Sequence, residues 1–94
     1  MAESPARFRM SGDIVTRDFE DGILVVNLES GKTWKLNQVG GTVCRGIEAG
    51  RDLEQIVAEL HRRYGVAEES LRKDVGALIG SLEKEGIVLT APRA

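Results

Sequence analysis

The sequence predicts an α+β fold in which a three-stranded antiparallel sheet precedes three helices. Up to Leu36, apolar residues cluster in short runs separated by turn-forming residues. From Asn37 onward, apolar residues recur at the spacing of a helix face, and glycines end the patterns. The length of 94 residues suits one domain with a modest core.

The first two predicted strands form a hairpin. Residues 13–19 include Ile14, Val15 and Phe19, and residues 20–22 (Glu-Asp-Gly) supply a turn. Residues 22–28 then contain four consecutive aliphatic residues, Ile-Leu-Val-Val, which favour a strand.

The third predicted strand comprises residues 32–36, Lys-Thr-Trp-Lys-Leu, after a turn at residues 29–32. Polar and apolar side chains alternate along it, as in a strand with one solvated face. So small a sheet has at least one edge of unpaired N–H and C=O groups. Such an edge is either covered or available to an extended peptide.

Helical patterns follow. Asn37 is placed as an N-cap before Val39, Val43 and Ile47, and Gly50 ends that run. Gly40 and Gly41 lie inside the helix, where they lower helix propensity, so we expect the helix backbone to approach the sheet closely there.

Capping residues also delimit the next two helices. Asp52 and Gln55 have the spacing of a capping box, Gly65 ends the second helix, and the third begins near Ala67. The predicted buried stripe of the second helix is Leu53, Ile56, Val57, Leu60 and Tyr64; the apolar stripe of the third is Leu71, Val75, Leu78, Ile79 and Leu82. We therefore expect a flexible arm over residues 1–12, a domain over 13–89, ending in a short apolar segment at 87–89, and a tail over 90–94.

Composition indicates an ordinary globular protein, with 41% hydrophobic and 30% charged residues. Its 13 Lys and Arg against 15 Asp and Glu give a net charge of −2, which disfavours electrostatically driven nucleic-acid binding. Cys44, the one cysteine, lies in an apolar helix and is predicted to be a small buried hydrophobe. Without a signal peptide or a membrane-length apolar run, the chain is expected in the cytoplasm, with no membrane partner.

Catalytic and metal-binding patterns are missing from the sequence. His61 is the one histidine and has no nucleophile at a useful spacing, and a single Cys with a single His makes no zinc pattern. The glycines at 31 and 40–41 do not form a phosphate-binding loop. We expect neither catalysis nor a cofactor nor a metal.

Short side chains border one flank of the third helix's apolar stripe: Ser70, Asp74, Ala77 and Ser81. Small residues can simply allow close helix packing. Here, however, Trp34 shares a strand face with Leu36, so its side chain should point toward the helices. An aromatic residue beside an open strand edge suits peptide binding. The candidate peptide-binding residues are Lys32, Thr33, Trp34, Lys35, Leu36, Asp74, Ala77, Leu78 and Ser81. Asp74 could contact the peptide, orient Lys35 across the cleft, or simply pair with Arg72 or Lys73.

Several segments together resemble PqqD-like domains. They are Gly31-Lys-Thr-Trp-Lys-Leu-Asn37 before a helix, Gly50-Arg-Asp-Leu-Glu-Gln-Ile, Leu60 to Val66, Asp74 to Ile79, and Leu82 to Ile87. These domains are the recognition elements for precursor peptides in ribosomal peptide natural-product (RiPP) pathways. Each motif alone is weak, but their order and spacing are specific, and the similarity covers residues 14–89.

The resemblance implies a winged-helix-like fold that binds the leader segment of a precursor peptide antiparallel to the third strand, in the cleft against the third helix. A short chain of this kind is most similar to the separate leader-binding protein of lasso-peptide systems, which works with a leader peptidase and a cyclase. Relatives that serve pyrroloquinoline quinone or radical-enzyme pathways are also possible. The alternatives are a winged-helix DNA-binding protein, for which Gln55, His61, Arg62 and Arg63 are available, and a structural or dimerisation module.

Overall fold

The computed structural model describes residues 7–91, in which five strands and three helices form two sheets beside a helical layer. In chain order the elements are β1 (Arg7–Met10), β2 (Ile14–Phe19), β3 (Gly22–Asn27), β4 (Thr33–Leu36), α1 (Gln38–Glu48), α2 (Leu53–Tyr64), α3 (Glu68–Lys84) and β5 (Val88–Ala91).

The predicted antiparallel meander is confirmed as a sheet of order β2-β3-β4. In the central strand β3, Val25 lies opposite Thr16 on one side and Trp34 on the other. The third strand is one residue shorter than predicted, since β4 begins at Thr33 and Lys32 lies just before it. Gly31, at φ +79°, lets this turn close.

A second, two-stranded sheet of β1 and β5 was not predicted. The expected arm over residues 1–12 contains a strand at Arg7–Met10, and the expected tail begins inside β5, so both expectations are wrong for these residues. Met10 pairs with Val88, and the half-buried Phe8 and Met10 pack against the core. Burial of these side chains orders a segment whose local sequence indicates a strand only weakly. Residues 1–6 and 92–94 of the arm and tail lie outside the described part of the chain.

The predicted helix caps are present. The Asn37 side chain accepts a hydrogen bond from the Gly40 N–H, and Asp52 with Gln55 forms the reciprocal capping box. Gly65, in the left-handed conformation, ends α2. Arg72 of α3 binds Glu54 of α2 at 2.7 Å, and this guanidinium lowers the pKa of the Glu54 carboxyl.

The core lies between the β2-β3-β4 sheet and the helices. Its buried hydrophobic members are Ile23, Val25, Val43, Cys44, Ile47, Ile56, Val57, Leu60, Leu71, Val75, Ile79, Leu82, Ile87 and Val88. The close approach predicted at Gly40 and Gly41 is confirmed, since a Cβ at Gly41 would lie 3.2 Å from the Ile23 side chain. Leu53 and Leu78 are only half-buried against the core, and Tyr64 is exposed, so the predicted burial of Tyr64 is wrong.

Candidate functional site

Strand β4 forms one edge of the three-stranded sheet, with β3 as its single strand neighbour among residues 7–91. The Asn27 N–H donates to the Lys32 carbonyl, and hydrogen-bonded pairs alternate along an antiparallel ladder. Trp34 and Leu36, opposite Val25 and Ile23, therefore bond to β3. The N–H and C=O groups of Thr33 and Lys35 consequently point away from the sheet and are free to pair with another strand.

The side chains of β4 divide between the two faces of the sheet. Trp34 and Leu36 share the face of the buried Val25 and Ile23, and both are half-buried against the core. Thr33 and Lys35 project from the opposite, outer face. The expectation that Trp34 looks toward the helices agrees with this arrangement.

The C-terminal end of α3 lies near the turn that precedes β4. Leu78, Ser81 and Glu85 follow one another at spacings of three and four, so they lie on the same side of the helix. The Glu85 carboxylate is 3.9 Å from Lys32 Nζ, just before β4. Ala77 and Ser81 are exposed, so this flank of α3 is solvent-accessible.

Asp74 lies one turn N-terminal to Leu78 on the same flank and is exposed. The alternative in which Asp74 pairs with Arg72 is not found, because Arg72 binds Glu54 instead. Within residues 7–91, no acid–base pair closer than 4.0 Å includes Asp74. Its carboxylate is thus exposed to solvent and unpaired within this part of the chain.

Lys35 does not reach across the cleft, so the expectation that Asp74 orients it is wrong. Its ammonium lies 4.7 Å from the centre of the Phe19 ring and 3.8 Å from Glu20 Oε1. Both contacts are possible because Lys35 and Phe19 project from the outer face. A cleft of about 370 Å³ lies there, between the β2–β3 turn and the end of β4.

The other edge of the sheet, β2, is tied to α1 by charged groups. Arg45 binds Asp18 at 2.9 Å and Glu48 at 2.7 Å, and it donates to the Thr16 hydroxyl at 2.8 Å. Thr16 in turn donates to Glu48 at 2.6 Å. The two carboxylates raise the pKa of Arg45. This cluster is not apparent in the sequence, since its β2 members lie 27 to 32 residues before its α1 members.

Cys44 and His61, the two residues considered for catalysis, are each held in a structural environment. Cys44 is fully buried, and burial raises the pKa of its thiol to about 11, which disfavours the nucleophilic thiolate. His61 Nδ1 is 2.7 Å from the Val66 carbonyl oxygen, so it makes a local contact just beyond its own helix. Across residues 7–91, no group of three His, Cys, Asp or Glu side chains could hold a metal ion. The helices in this part of the chain are all too short or too polar to cross a bilayer.

The profile of the family described as coenzyme PQQ synthesis protein D (PqqD) matches residues 22–88, which include β4 and α3. Because the match covers most of the sequence, the chain belongs to the PqqD family. No curated protein matches the sequence.

Two solved structures share the fold. One is a lasso peptide synthetase B1 complexed with the leader peptide, at a TM-score of 0.81 and 24% identity, covering 87% of this chain and 96% of that one. The other is TbiB1 in complex with the TbiA(beta) leader peptide, at a TM-score of 0.80 and 21% identity, covering 85% of this chain and 93% of that one. The α+β, winged-helix-like architecture predicted from the sequence is thereby confirmed.

Proposed function

We propose that this chain is a non-catalytic binding protein that captures the leader segment of a ribosomally made precursor peptide. The observation that carries the proposal is the free main-chain edge at Thr33 and Lys35, next to the half-buried Trp34, in a protein of the PqqD family. An edge strand offers a peptide a ladder of hydrogen bonds, and neighbouring apolar side chains offer selectivity.

In this proposal the leader adds antiparallel to β4 and becomes a fourth strand. Its main chain exchanges hydrogen bonds with Thr33 and Lys35. Every second leader side chain then enters the groove between Trp34 and the Leu78–Ser81 flank of α3. Burial of one apolar anchor there contributes about 2 kcal/mol or more.

The captured peptide is delivered to modifying enzymes, first to a leader peptidase and then to a cyclase of a lasso-peptide pathway in the cytoplasm. Support for this pathway comes from the two structural neighbours, both of which were solved with leader peptides. A binding protein of this kind acts by presenting the peptide, and it needs no catalytic group of its own.

DNA binding is the less favoured function. Arg62 and Arg63, the basic residues of α2 available for a phosphate backbone, both lie within 4 Å of the Glu59 carboxylate. That carboxylate offsets part of their charge, and the whole chain is acidic.

Calorimetric titration at near-physiological ionic strength tests the proposal. The wild-type chain is titrated with the synthetic leader of the precursor encoded in its own gene cluster, with a scrambled leader, and with a short DNA duplex. We expect saturable binding of the leader alone. Binding of the duplex with no binding of the leader would replace the proposed function by the DNA-binding one.

A further inference from the structure

A strand that adds to β4 presents side chains to both faces of the sheet. Thr33 and Lys35 carry the outward main-chain groups, and their own side chains lie on the outer face. Opposed residues of an antiparallel ladder point to the same face, so the leader residues that pair with Thr33 and Lys35 also project there. Half of the paired leader side chains therefore never meet Trp34, and the outer face is the surface that they contact.

The cleft of about 370 Å³ on this face (the outer-face cleft) is lined by Phe19 on one side and by Lys35 and Asn37 on the other. Gly22 lies between them, and a Cβ there would collide with the Leu36 carbonyl oxygen, so the floor of the cleft carries no side chain at this point. Strands lie about 4.8 Å apart, which puts the backbone of an added leader about 14 Å from the β2 backbone at Phe19. A leader side chain must therefore be long to reach the Phe19 ring.

The charge of the outer-face cleft favours a cation. Its described lining includes two acids, Glu20 and Asp21, and one base, Lys35, which leaves a local charge of −1. Glu20 is paired with Lys35 at 3.8 Å, whereas Asp21 has no base within 4.0 Å among residues 7–91. The Phe19 ring is 40% exposed and already holds the Lys35 ammonium 4.7 Å from its centre, as an aromatic face attracts cations. An unpaired carboxylate next to an exposed ring suits a second positive group.

We propose that the outer-face cleft binds a long basic side chain of the leader, an arginine or a lysine, against Phe19 and Asp21. The inference rests on the proposed function, since the side chain comes from a leader paired with β4. Its source is the leader residue opposite Lys35 or the residue two positions earlier, because an antiparallel leader begins its pairing at the Leu36 end of β4. A slip of one residue would turn this side chain to the inner face, so the cleft fixes the register of the leader on β4.

Calorimetric double-mutant cycles test the proposal. The synthetic leader of the precursor from the same gene cluster is titrated unmodified and with each Lys and Arg replaced in turn by Gln. We expect one replacement, an odd number of residues from the apolar anchor, to weaken binding by about three- to fivefold. Asp21→Asn should weaken binding of the unmodified leader by a similar factor and abolish the effect of that replacement. Asp13→Asn, at an exposed position outside the cleft, is the matched control and should leave both affinities within about 1.5-fold.

The ring is tested separately by Phe19→Leu, which keeps an apolar side chain but loses the aromatic face and should weaken binding by about twofold. The inference is overturned if no Gln replacement weakens binding, if Phe19→Leu or Asp21→Asn binds the leader like the wild type, or if Asp13→Asn weakens binding equally. Strand addition at β4 would stand after any of these results.

If the wild-type chain does not bind the leader at all, the proposed function fails, and a second measurement decides for the cleft. Amide chemical shifts are mapped with N-acetylarginine amide as the probe and N-acetylglutamine amide as the control. Shifts at Gly22 and Asn37 with the arginine probe alone would support a site for a basic side chain. Their absence would overturn it.

Discussion

The two edges of the three-stranded sheet differ in what surrounds their free main-chain groups. At β2, the side chains of Thr16 and Asp18 are bound by Arg45 of α1, so an incoming strand would meet charged groups on the helix-facing side. At β4, Trp34 and Leu36 occupy that side. Charged groups discourage strand addition, whereas apolar side chains next to an open edge favour it. The sheet therefore presents a single edge suited to an apolar peptide strand.

Proline substitution should separate the two edges most strongly. Lys35→Pro or Thr33→Pro removes an N–H that points away from β3, and we expect leader binding to weaken by about 2–3 kcal/mol, roughly 30- to 150-fold, because a leader carbonyl loses its partner. The melting temperature should change little, since an edge strand tolerates proline at an outward N–H. Calorimetry and thermal melts measure both quantities.

Two controls accompany this experiment. Asp18→Pro places proline on the β2 edge and should leave leader affinity unchanged, while Trp34→Pro removes an N–H that bonds to β3 and should lower the melting temperature. If Thr33→Pro and Lys35→Pro both fold and bind leader like the wild type, strand addition at β4 is wrong.

Filling the groove should have the next largest effect. Ala77→Phe or Ser81→Trp places a bulky ring on the open flank of α3, where it would overlap an incoming apolar side chain. We expect a loss of about 2 kcal/mol in leader binding, measured by calorimetry. Ala58→Phe, at an exposed position of α2, is the matched control and should bind normally. Normal binding by both folded groove variants would place the pocket elsewhere.

Asp74→Asn tests whether a carboxylate contributes at the groove. We expect leader affinity to fall by about 1 kcal/mol with little change in melting temperature, because Asp74 has no ion-pair partner within the described residues. Added salt should narrow the difference if charge is the cause. A lower melting temperature with unchanged affinity would instead make Asp74 a structural residue.

Arg45→Ala should have the smallest effect on binding. It removes the ion pairs that hold β2 to α1, and because these pairs are solvent-exposed we expect the free energy of unfolding to fall by at most about 1 kcal/mol. Leader affinity should not change, since Arg45 makes no contact with β4 and the residues around β4 stay in place. A changed affinity, or leader-induced amide shifts along β2 in the variant, would show that the two edges are less distinct than the structure indicates.

Local sequence signals were sufficient to predict most of the fold. Asn37, the Asp52–Gln55 pair and Gly65 each act through atoms within a few residues, so spacing in the chain predicted their positions. The β1–β5 sheet could not be found in this way, because Arg7 pairs with Ala91 across nearly the whole chain. Its stability comes from burial of Ile87, Val88 and their neighbours, which is a property of the assembled core.

For the candidate site, the sequence by itself determined the composition of the edge: a short alternating strand with Trp34 on one face, and a helix with small residues on one flank. Tertiary structure decided which main-chain groups are free, since the register with β3 directs Thr33 and Lys35 outward. It also placed Lys35 over Phe19 rather than toward Asp74, and it gathered Arg51, Arg62 and Arg63 around Glu59. Side-chain alternation is local and can be predicted, whereas charge clusters depend on how separate elements pack together.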